Sequence, residues 1–350
     1  MVGVAAQSAA AQRANQLVTG LQQHFVSRLQ TLSQSQGQLF ASVEWLRNGG
    51  KYGGGVRFIA NDSHTFNRAS VNVSQVQYEN EPDKALASAT ALSSIIHPHN
   101  PRASSIHLHL SWTELKRGHS YWRIMADLNP AIVNDAQTRR FKQALRRSSA
   151  VHFNQASEQG DRYFFIPALN RHRGASHFYL ENYFTDNPEA DIAFAEQIIR
   201  STIDCYIDLS EESLATHPTP TDQHFQQQLA YHTLYFFQVL TMDRGTTSGL
   251  LVHDENDIGI LGSLPARVNP ALLASWLAAM PKPQNDLLQQ LINALPITKQ
   301  CDTSSPVDDA TKKQLANIVR AHYSTHPEAL KLQARADLIP PTVANHQSAI

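Results

Sequence analysis

The sequence predicts an α+β fold in which a large sheet is flanked by helices. Long strand-like segments are grouped around a few helical segments rather than alternating with them regularly. The clearest strand covers residues 105–111, where apolar and polar residues alternate strictly, so that His107 and His109 share one face. The clearest helix covers residues 8–33, because apolar residues recur there every three or four positions.

Glycine and β-branched residues dominate residues 40–76, after a polar stretch at residues 33–37 that ends the first helix. Asn48-Gly49 and Asn61-Asp62 are turn sequences of the kind that connect the two strands of a hairpin. We therefore expect hairpin-connected strands in this part of the chain.

The second half of the chain mixes helical and strand patterns. Helical spacing predicts helices at residues 138–147 and 190–207, with a strand at residues 177–184 between them. Apolar and aromatic runs predict two further strands, at residues 235–242 and 258–261. The pattern after these strands is helical, and the polar, turn-rich end of the chain is expected to be poorly ordered.

The length and composition of the chain indicate a globular protein with more than one structural region. The chain has 350 residues, of which 42% are hydrophobic, so it can bury a sizeable core. We divide it into an N-terminal helix at residues 1–38, an α+β domain at residues 39–300, and a C-terminal helical extension with a flexible tail at residues 301–350.

Charge and cysteine content exclude several classes of protein. The net charge is −1 and the basic residues are scattered, which disfavours nucleic acid as a partner. Cys205 and Cys301 cannot form a disulfide framework or a zinc finger. No signal peptide and no apolar run of about 18 residues is found, so we expect a cytoplasmic protein without membrane insertion. The 17 histidines exceed common usage, and histidine serves both in proton transfer and as a metal ligand.

Six segments between residues 45 and 265 carry recognisable motifs. They are WLRNGG followed by GGG at 45–55, FNRASVNVS at 66–74, SSIIHPHNP at 93–101 with His107 shortly after, DLNP at 127–130, DRGT with GL at 243–250, and ILGSLP at 260–265. In this order they resemble the motifs of the aerobic, oxygen-dependent coproporphyrinogen III oxidase family. The chain looks like a divergent member, and the resemblance does not cover its last eighty or so residues.

The resemblance implies a fold, a partner and an activity. It implies a mostly antiparallel sheet with helices on both faces, a deep cleft and a homodimer. The implied reaction is the oxygen-dependent decarboxylation of two propionates of coproporphyrinogen III, with O2 as co-substrate and no organic cofactor. Asp127 matches the family's pyrrole-binding aspartate and His107 its catalytic histidine. A buried carboxylate can accept hydrogen bonds from pyrrole N–H groups, and arginines can hold propionates.

The chain departs from the family where the substrate carboxylates would bind. Ser111 replaces an arginine, residues 253–256 (HDEN) replace a Gly-Gly-Arg loop, and residues 121–126 (YWRIMA) replace a glycine-rich run. We therefore predict an altered substrate that is smaller or less anionic, in a cleft that new side chains partly fill. The predicted substrate-binding residues are Ser93, His109, Ser111, Arg123 and Arg173.

Histidines on neighbouring strands raise the hypothesis of a metal site. Two histidines at positions i and i+2 of one strand can coordinate one cation, and a third imidazole or a carboxylate would complete an iron, copper or manganese site. The alternative is a polar face whose histidines only form hydrogen bonds. The predicted ligands are His97, His107, His109, His177 and Glu181.

Several alternatives stay open at individual positions. Asp127 could cap a turn, because DLNP is also a plain turn sequence. His97 could brace a loop rather than bind a ligand. For Asp243-Arg244 we favour an internal ion pair that shapes the end of a strand.

Three functions follow from these observations. The preferred one is an oxygen-dependent oxidase or oxidative decarboxylase of this family with a changed small-molecule substrate, with His107 and Asp127 as acid–base groups. The second is a genuine coproporphyrinogen III oxidase that forms protoporphyrinogen IX and holds propionates through relocated arginines, such as Arg102, Arg123, Arg140 or Arg173. The third is a non-catalytic tetrapyrrole- or metal-binding protein, because a fold alone does not decide function.

Overall fold

A seven-stranded antiparallel sheet forms the centre of the computed structural model, which describes residues 3–32, 40–60, 64–297, 303–337 and 342–346. The strands lie side by side in chain order, so each pairs with its neighbours in sequence. They are β1 (Phe40–Leu46), β2 (Gly53–Ala60), β3 (Phe66–Gln77), β4 (Leu86–Pro98), β5 (Ser105–Leu115), β6 (Tyr121–Asn129) and β7 (Ser176–Tyr183). The predicted α+β fold is confirmed.

Helices cover both faces of the sheet. They are α1 (Ala9–Thr31), α2 (Asp135–Ser149), α3 (Phe153–Phe164), α4 (Pro188–Thr216), α5 (Asp222–Thr241), α6 (Arg244–Val252), α7 (Asp257–Ile260), α8 (Pro270–Ser275), α9 (Gln284–Asn293), α10 (Asp309–Thr325) and α11 (Thr342–His346). Two short ladders, Phe165–Ile166 with Arg171–His172 and Arg267–Val268 with Ser305–Pro306, lie outside the main sheet. In the described part of the chain, no helix combines the length and the apolar character that a membrane span needs.

One face of the sheet is apolar and packs against α1, α2 and α4. The alternating residues of β5 point Ile106, Leu108 and Leu110 into this core, where all three are fully buried. Leu21 and Phe25 of α1 lie in the same core, so the predicted amphipathic helix is confirmed. The opposite face carries the polar residues of β5 and is covered by α3, α5 and α6.

Two predicted strands are wrong. Residues 235–241 are the last turns of α5 and Met242 is its C-cap; the helix begins at a capping box formed by Thr221 and His224. Every residue from Tyr231 to Thr241 is buried, so the segment has no exposed polar face and shows no helical period. Residues 257–260 form the short helix α7, and a single turn of 3-10 helix follows it.

The other predicted elements are present where the structure describes them. The helices predicted at 138–147 and 190–207 correspond to α2 and the longer α4, and the strand at 177–184 corresponds to β7. The Asn48-Gly49 turn is formed, with both residues at positive φ. The Asn61-Asp62 turn, the polar stretch at 33–37 and Cys301 lie outside the described residues.

Helix α3 packs so closely on β7 that Gly160 should tolerate no side chain. A Cβ at Gly160 would lie 2.8 Å from the Cβ of His177 and 2.8 Å from the backbone nitrogen of Phe178. We expect Gly160→Ala to lower the free energy of unfolding by about 1–3 kcal/mol, measured by urea denaturation. Gly20→Ala is the control, because Gly20 lies in the middle of α1 on its solvent-exposed side, with nothing within 4 Å of a Cβ. This substitution should raise the free energy of unfolding by about 0.5–1 kcal/mol. Equal effects at the two sites would contradict this packing.

Candidate active site

A cavity of about 300 Å³ lies on the polar face of the sheet, beneath α5 and α6. Its walls come from β1, from β3 to β7, and from the facing sides of these helices. Helix α11 adds Thr342, Asn345 and His346 to the wall. This volume is at the lower end of the range for small-molecule pockets. Tyr121, Arg123 and Met125, from the segment that replaces the glycine-rich run, all line it.

The register of the sheet places the predicted site residues in adjacent cross-strand rows. The cross-strand pairs are His107–Asp127, Asp127–His177, Ser93–His109 and Ser111–Arg123. Because side chains on a strand alternate between faces, these residues all point to the polar side of the sheet. The rows bring groups from four strands to one surface.

Asp127 is the most deeply buried charge of the site, with no exposed surface. One carboxylate oxygen accepts hydrogen bonds from Arg173 Nη2 at 2.7 Å and from Asn129 Nδ2 at 2.6 Å. The other accepts from His107 Nδ1 at 2.9 Å. Burial alone would raise the pKa of Asp127, but the positive charge of Arg173 and the contact with His107 hold that pKa well below its ordinary value. Asp127 is therefore ionised.

Arg173 is positioned by the turn between α3 and β7. Gly174 adopts a φ of 86° there, a conformation that glycine permits. The guanidinium lies over the rings of Phe164 and Tyr235, at 4.4 Å and 4.8 Å, and donates to Gln238 Oε1. Arg173 is 1% exposed, so its charge needs the carboxylate of Asp127 beside it.

The contact with Asp127 fixes the tautomer of His107. An ionised carboxylate only accepts hydrogen bonds, so Nδ1 of His107 carries the hydrogen and Nε2 is left for a ligand. The His107 side chain is 19% exposed and lines the cavity, whereas Asp127 lies behind it and does not. Asp127 can therefore act on a bound molecule only through His107 or Arg173.

His109 is enclosed by two serine hydroxyls. Ser93 Oγ lies 2.7 Å from Nδ1 and Ser111 Oγ lies 3.0 Å from Nε2. Burial, with the nearby charge of Arg123, lowers the pKa of His109 well below its ordinary value, so the imidazole is neutral. Three predicted substrate-binding residues thus form one uncharged polar surface that lines the cavity.

Arg123 belongs to a second buried charge cluster, at the end of the cavity near β7. Oε1 of Glu181 accepts hydrogen bonds from Tyr179 at 2.6 Å and from Arg244, and lies 3.5 Å from Arg123 Nη2. Burial lowers the pKa of Arg123, but Tyr179 and Glu181 outweigh it and raise that pKa above its ordinary value. Arg123, Tyr179 and Arg244 line the cavity, and Glu181 lies behind them.

Asp243 and Arg244 do not form the ion pair that we favoured from the sequence. Asp243 caps the N-terminus of α6 by accepting from Thr246 N at 2.7 Å, and it accepts from the Tyr163 hydroxyl at 3.0 Å. Arg244 pairs with Glu181 instead. Both residues line the cavity, so this pair of motif residues belongs to the site.

The predicted metal ligands are not gathered around one point. His97 is fully buried between Ser105 Oγ and the Ser263 carbonyl, and His177 lies between Asp161 and the Arg173 carbonyl. Neither histidine lines the cavity. Among the residues that the structure describes, no group of three or more His, Cys, Asp or Glu side chains is arranged to hold a metal ion.

Sequence reasoning missed several residues of the site. The charged groups of the site form hydrogen bonds with four residues that we had not predicted, Asn129, Gln238, Tyr163 and Tyr179. Helix α11 also contributes to the wall of the cavity. Asn129 and Tyr179 each stand two positions from a predicted site residue on the same strand, so the strand period could have identified them. Gln238 and α11 carry no such signal, because their contacts are distant in sequence.

The structure defines the class as an α+β protein with a polar cavity of small-molecule size against one face of an antiparallel sheet. The chain belongs to the coproporphyrinogen III oxidase family, whose model matches residues 13–291. The family predicted from the six motifs is thereby confirmed.

Individual relatives are similar at low identity. The chain is 25% identical over 290 residues to the mitochondrial oxygen-dependent coproporphyrinogen-III oxidase of Rattus norvegicus, covering 75% of this chain and 63% of the relative. The human mitochondrial protein of the same name is 28% identical over 273 residues, covering 71% and 58%. The Rickettsia felis oxygen-dependent coproporphyrinogen-III oxidase is 27% identical over 243 residues, covering 65% and 84%. The match thus spans about three fifths of the two mammalian relatives.

The ionised state of Asp127 predicts a specific pH dependence of stability. Because its folded-state pKa is lowered, its contribution is complete above the ordinary carboxyl pKa of 3.8 and is lost as the pH falls through the folded-state pKa. We expect Asp127→Asn to cost about 3–5 kcal/mol at pH 7, since it leaves Arg173 without a countercharge. The difference from wild type, measured by urea denaturation, should shrink as the pH falls below 3.8.

A matched control separates this effect from a general loss of charge. Asp186→Asn removes one carboxylate at an exposed position before α4 and should change stability by less than about 0.5 kcal/mol. If Asp127→Asn were as mild as this control at pH 7, the buried charge cluster would be wrong.

Proposed function

We propose that this protein catalyses the oxygen-dependent oxidation of a pyrrolic small molecule bound in the cavity, and that His107 is the proton-accepting group. The observation that carries the proposal is the pair of Asp127 and His107, because it holds one imidazole nitrogen protonated and leaves the other for a ligand. Membership of the family and the names of the relatives, which are oxygen-dependent oxidases, support oxygen as co-substrate.

The chemistry assigns a separate task to each group. The substrate loses two electrons and two protons, and O2 gains them as hydrogen peroxide, so no organic cofactor is required. Nε2 of His107 accepts one of these protons, and the charge of Asp127 stabilises the imidazolium that forms. Asp127 is thus a positioning residue, which acts through His107. Positioned proton transfer of this kind contributes typically 10²–10⁴-fold to a rate.

The arginines of the cavity favour a substrate with fewer carboxylates than coproporphyrinogen III. Arg123, Arg173 and Arg244 line the cavity, and each is paired with a buried carboxylate of the protein. A genuine coproporphyrinogen III oxidase would need arginines free for propionates. Of the relocated arginines that we considered, Arg102 and Arg140 do not line the cavity, and Arg140 pairs with Glu212.

The remaining expectations are not needed for this proposal. An iron, copper or manganese site, the homodimer and the cytoplasmic location stay predictions. The reaction as proposed uses oxygen, the substrate and the described side chains only.

A series of porphyrinogens that differ in carboxylate number tests the proposal. Oxygen uptake would be measured with coproporphyrinogen III, mesoporphyrinogen and etioporphyrinogen, which carry four, two and no carboxylates. His107→Gln serves as the blank for spontaneous oxidation. We expect the enzymatic rate to rise as carboxylates are removed, and to fall by about 10²–10⁴-fold in His107→Gln.

His217→Gln is the matched histidine control, because His217 is an exposed residue at the end of α4 and should keep the wild-type rate. Fastest turnover of coproporphyrinogen III, with release of CO2, would instead identify a genuine coproporphyrinogen III oxidase. Rates equal to the His107→Gln blank for the whole series would reject the proposed oxidase.

A further inference from the structure

Glu181 holds two buried arginines of the cavity wall through a single oxygen. Its Oε1 atom accepts from Tyr179 and Arg244 and lies near Arg123, whereas its Oε2 atom is buried without a partner. Arg123 Nε and Arg244 Nη1 are also buried without partners. The two guanidinium groups therefore keep hydrogen-bond donors that the protein does not use.

The geometry around Glu181 is that of a carboxylate-binding site. Two guanidinium groups and a tyrosine hydroxyl converge on one carboxylate oxygen, which is how proteins recognise a bound carboxylate. The carboxylate in this case belongs to the chain itself. Glu181 is 3% exposed and lies behind the wall that Arg123, Tyr179 and Arg244 form.

The charges at this end of the cavity are balanced without a ligand. Arg123 and Arg244 supply two positive charges, and Glu181 and the buried Asp243 supply two negative ones. A carboxylate that approached the arginines from the cavity would meet Glu181 directly behind them. Burying a further anion there would leave it without a countercharge, which is costly.

We infer that Glu181 occupies an anion site formed by Arg123, Arg244 and Tyr179, and thereby makes this end of the cavity specific for an uncharged hydrogen-bond acceptor. A carbonyl, ether or hydroxyl oxygen can accept a hydrogen bond from Arg123 or Arg244, which line the cavity, without adding charge. Glu181 is thus the residue that determines which substituent the substrate presents here. This inference deepens the proposed function and rests on it for the identity of the bound molecule as a substrate.

Removal of the Glu181 side chain should open the anion site to an external carboxylate. In Glu181→Ala, acetate can take the place of the missing carboxylate, while acetamide has the same shape without the charge. The melting temperature would be measured over a concentration series of sodium acetate, acetamide and sodium chloride. We expect acetate alone to raise the melting temperature of Glu181→Ala, by about 2–4 °C near saturation.

Wild type and a surface variant are the matched controls. Wild type should show no acetate-specific rise, because its own carboxylate fills the site. Glu212→Ala also removes one glutamate from an ion pair with an arginine, but this pair is half-exposed and joins α2 to α4 on the surface. The variant should show no acetate-specific rise either. An equal response of Glu181→Ala to acetate and chloride, or an equal response of wild type to acetate, would overturn the inference.

The experiment stays decisive if Glu181→Ala does not fold alone. Its refolding yield would then be compared in acetate and in chloride of equal ionic strength. Acetate-dependent recovery supports the anion site, and equal recovery in both salts rejects it. None of these measurements uses turnover, so a failure here leaves the proposed oxidase to be judged on the porphyrinogen series alone.

Discussion

The ionised Asp127 between Arg173, Asn129 and His107 is the interaction on which the site depends. A carboxylate without exposed surface is unstable unless charges and donors surround it. The contacts that stabilise this carboxylate connect the end of β6 to β5 through His107 and to the turn before β7 through Arg173. The guanidinium of Arg173 in turn packs on α3 and α5, so one charge cluster joins the sheet to the helices that cover the cavity.

The two faces of the sheet differ in composition because successive side chains along each strand point to opposite faces. The apolar face supplies a core with α1, α2 and α4, and this core holds the register of β5 and β6. The polar face can then carry buried charges at fixed cross-strand positions. There the three arginines that line the cavity, Arg123, Arg173 and Arg244, are paired with buried carboxylates of the protein. Arginines that are already paired leave little positive charge for the propionates of coproporphyrinogen III, and this is the basis of the less anionic substrate proposed for the cavity of about 300 Å³.

Local sequence patterns predicted the elements that have one buried face. The alternation in β5 and the spacing in α1 identify both elements and the direction of His107 and His109. Residues 235–242 could not be predicted in this way, because a helix buried on all sides has no period. The sequence also led us to group His177 and Glu181 with His107 as predicted ligands, but it could not show that Asp161 and Arg244 bind them. Those partners are 16 and 63 residues away in sequence, and only the fold brings them close.

A double-mutant cycle on Asp127 and Arg173 tests the central claim most directly. Asp127→Asn, Arg173→Met and the double variant would be compared with wild type by urea denaturation at pH 7. If the two charges stabilise each other, each single variant leaves one buried charge unpaired, and the double variant loses less stability than the sum of the two, by at least about 2 kcal/mol. Additive losses would contradict the account, because they would mean that Asp127 and Arg173 are buried independently.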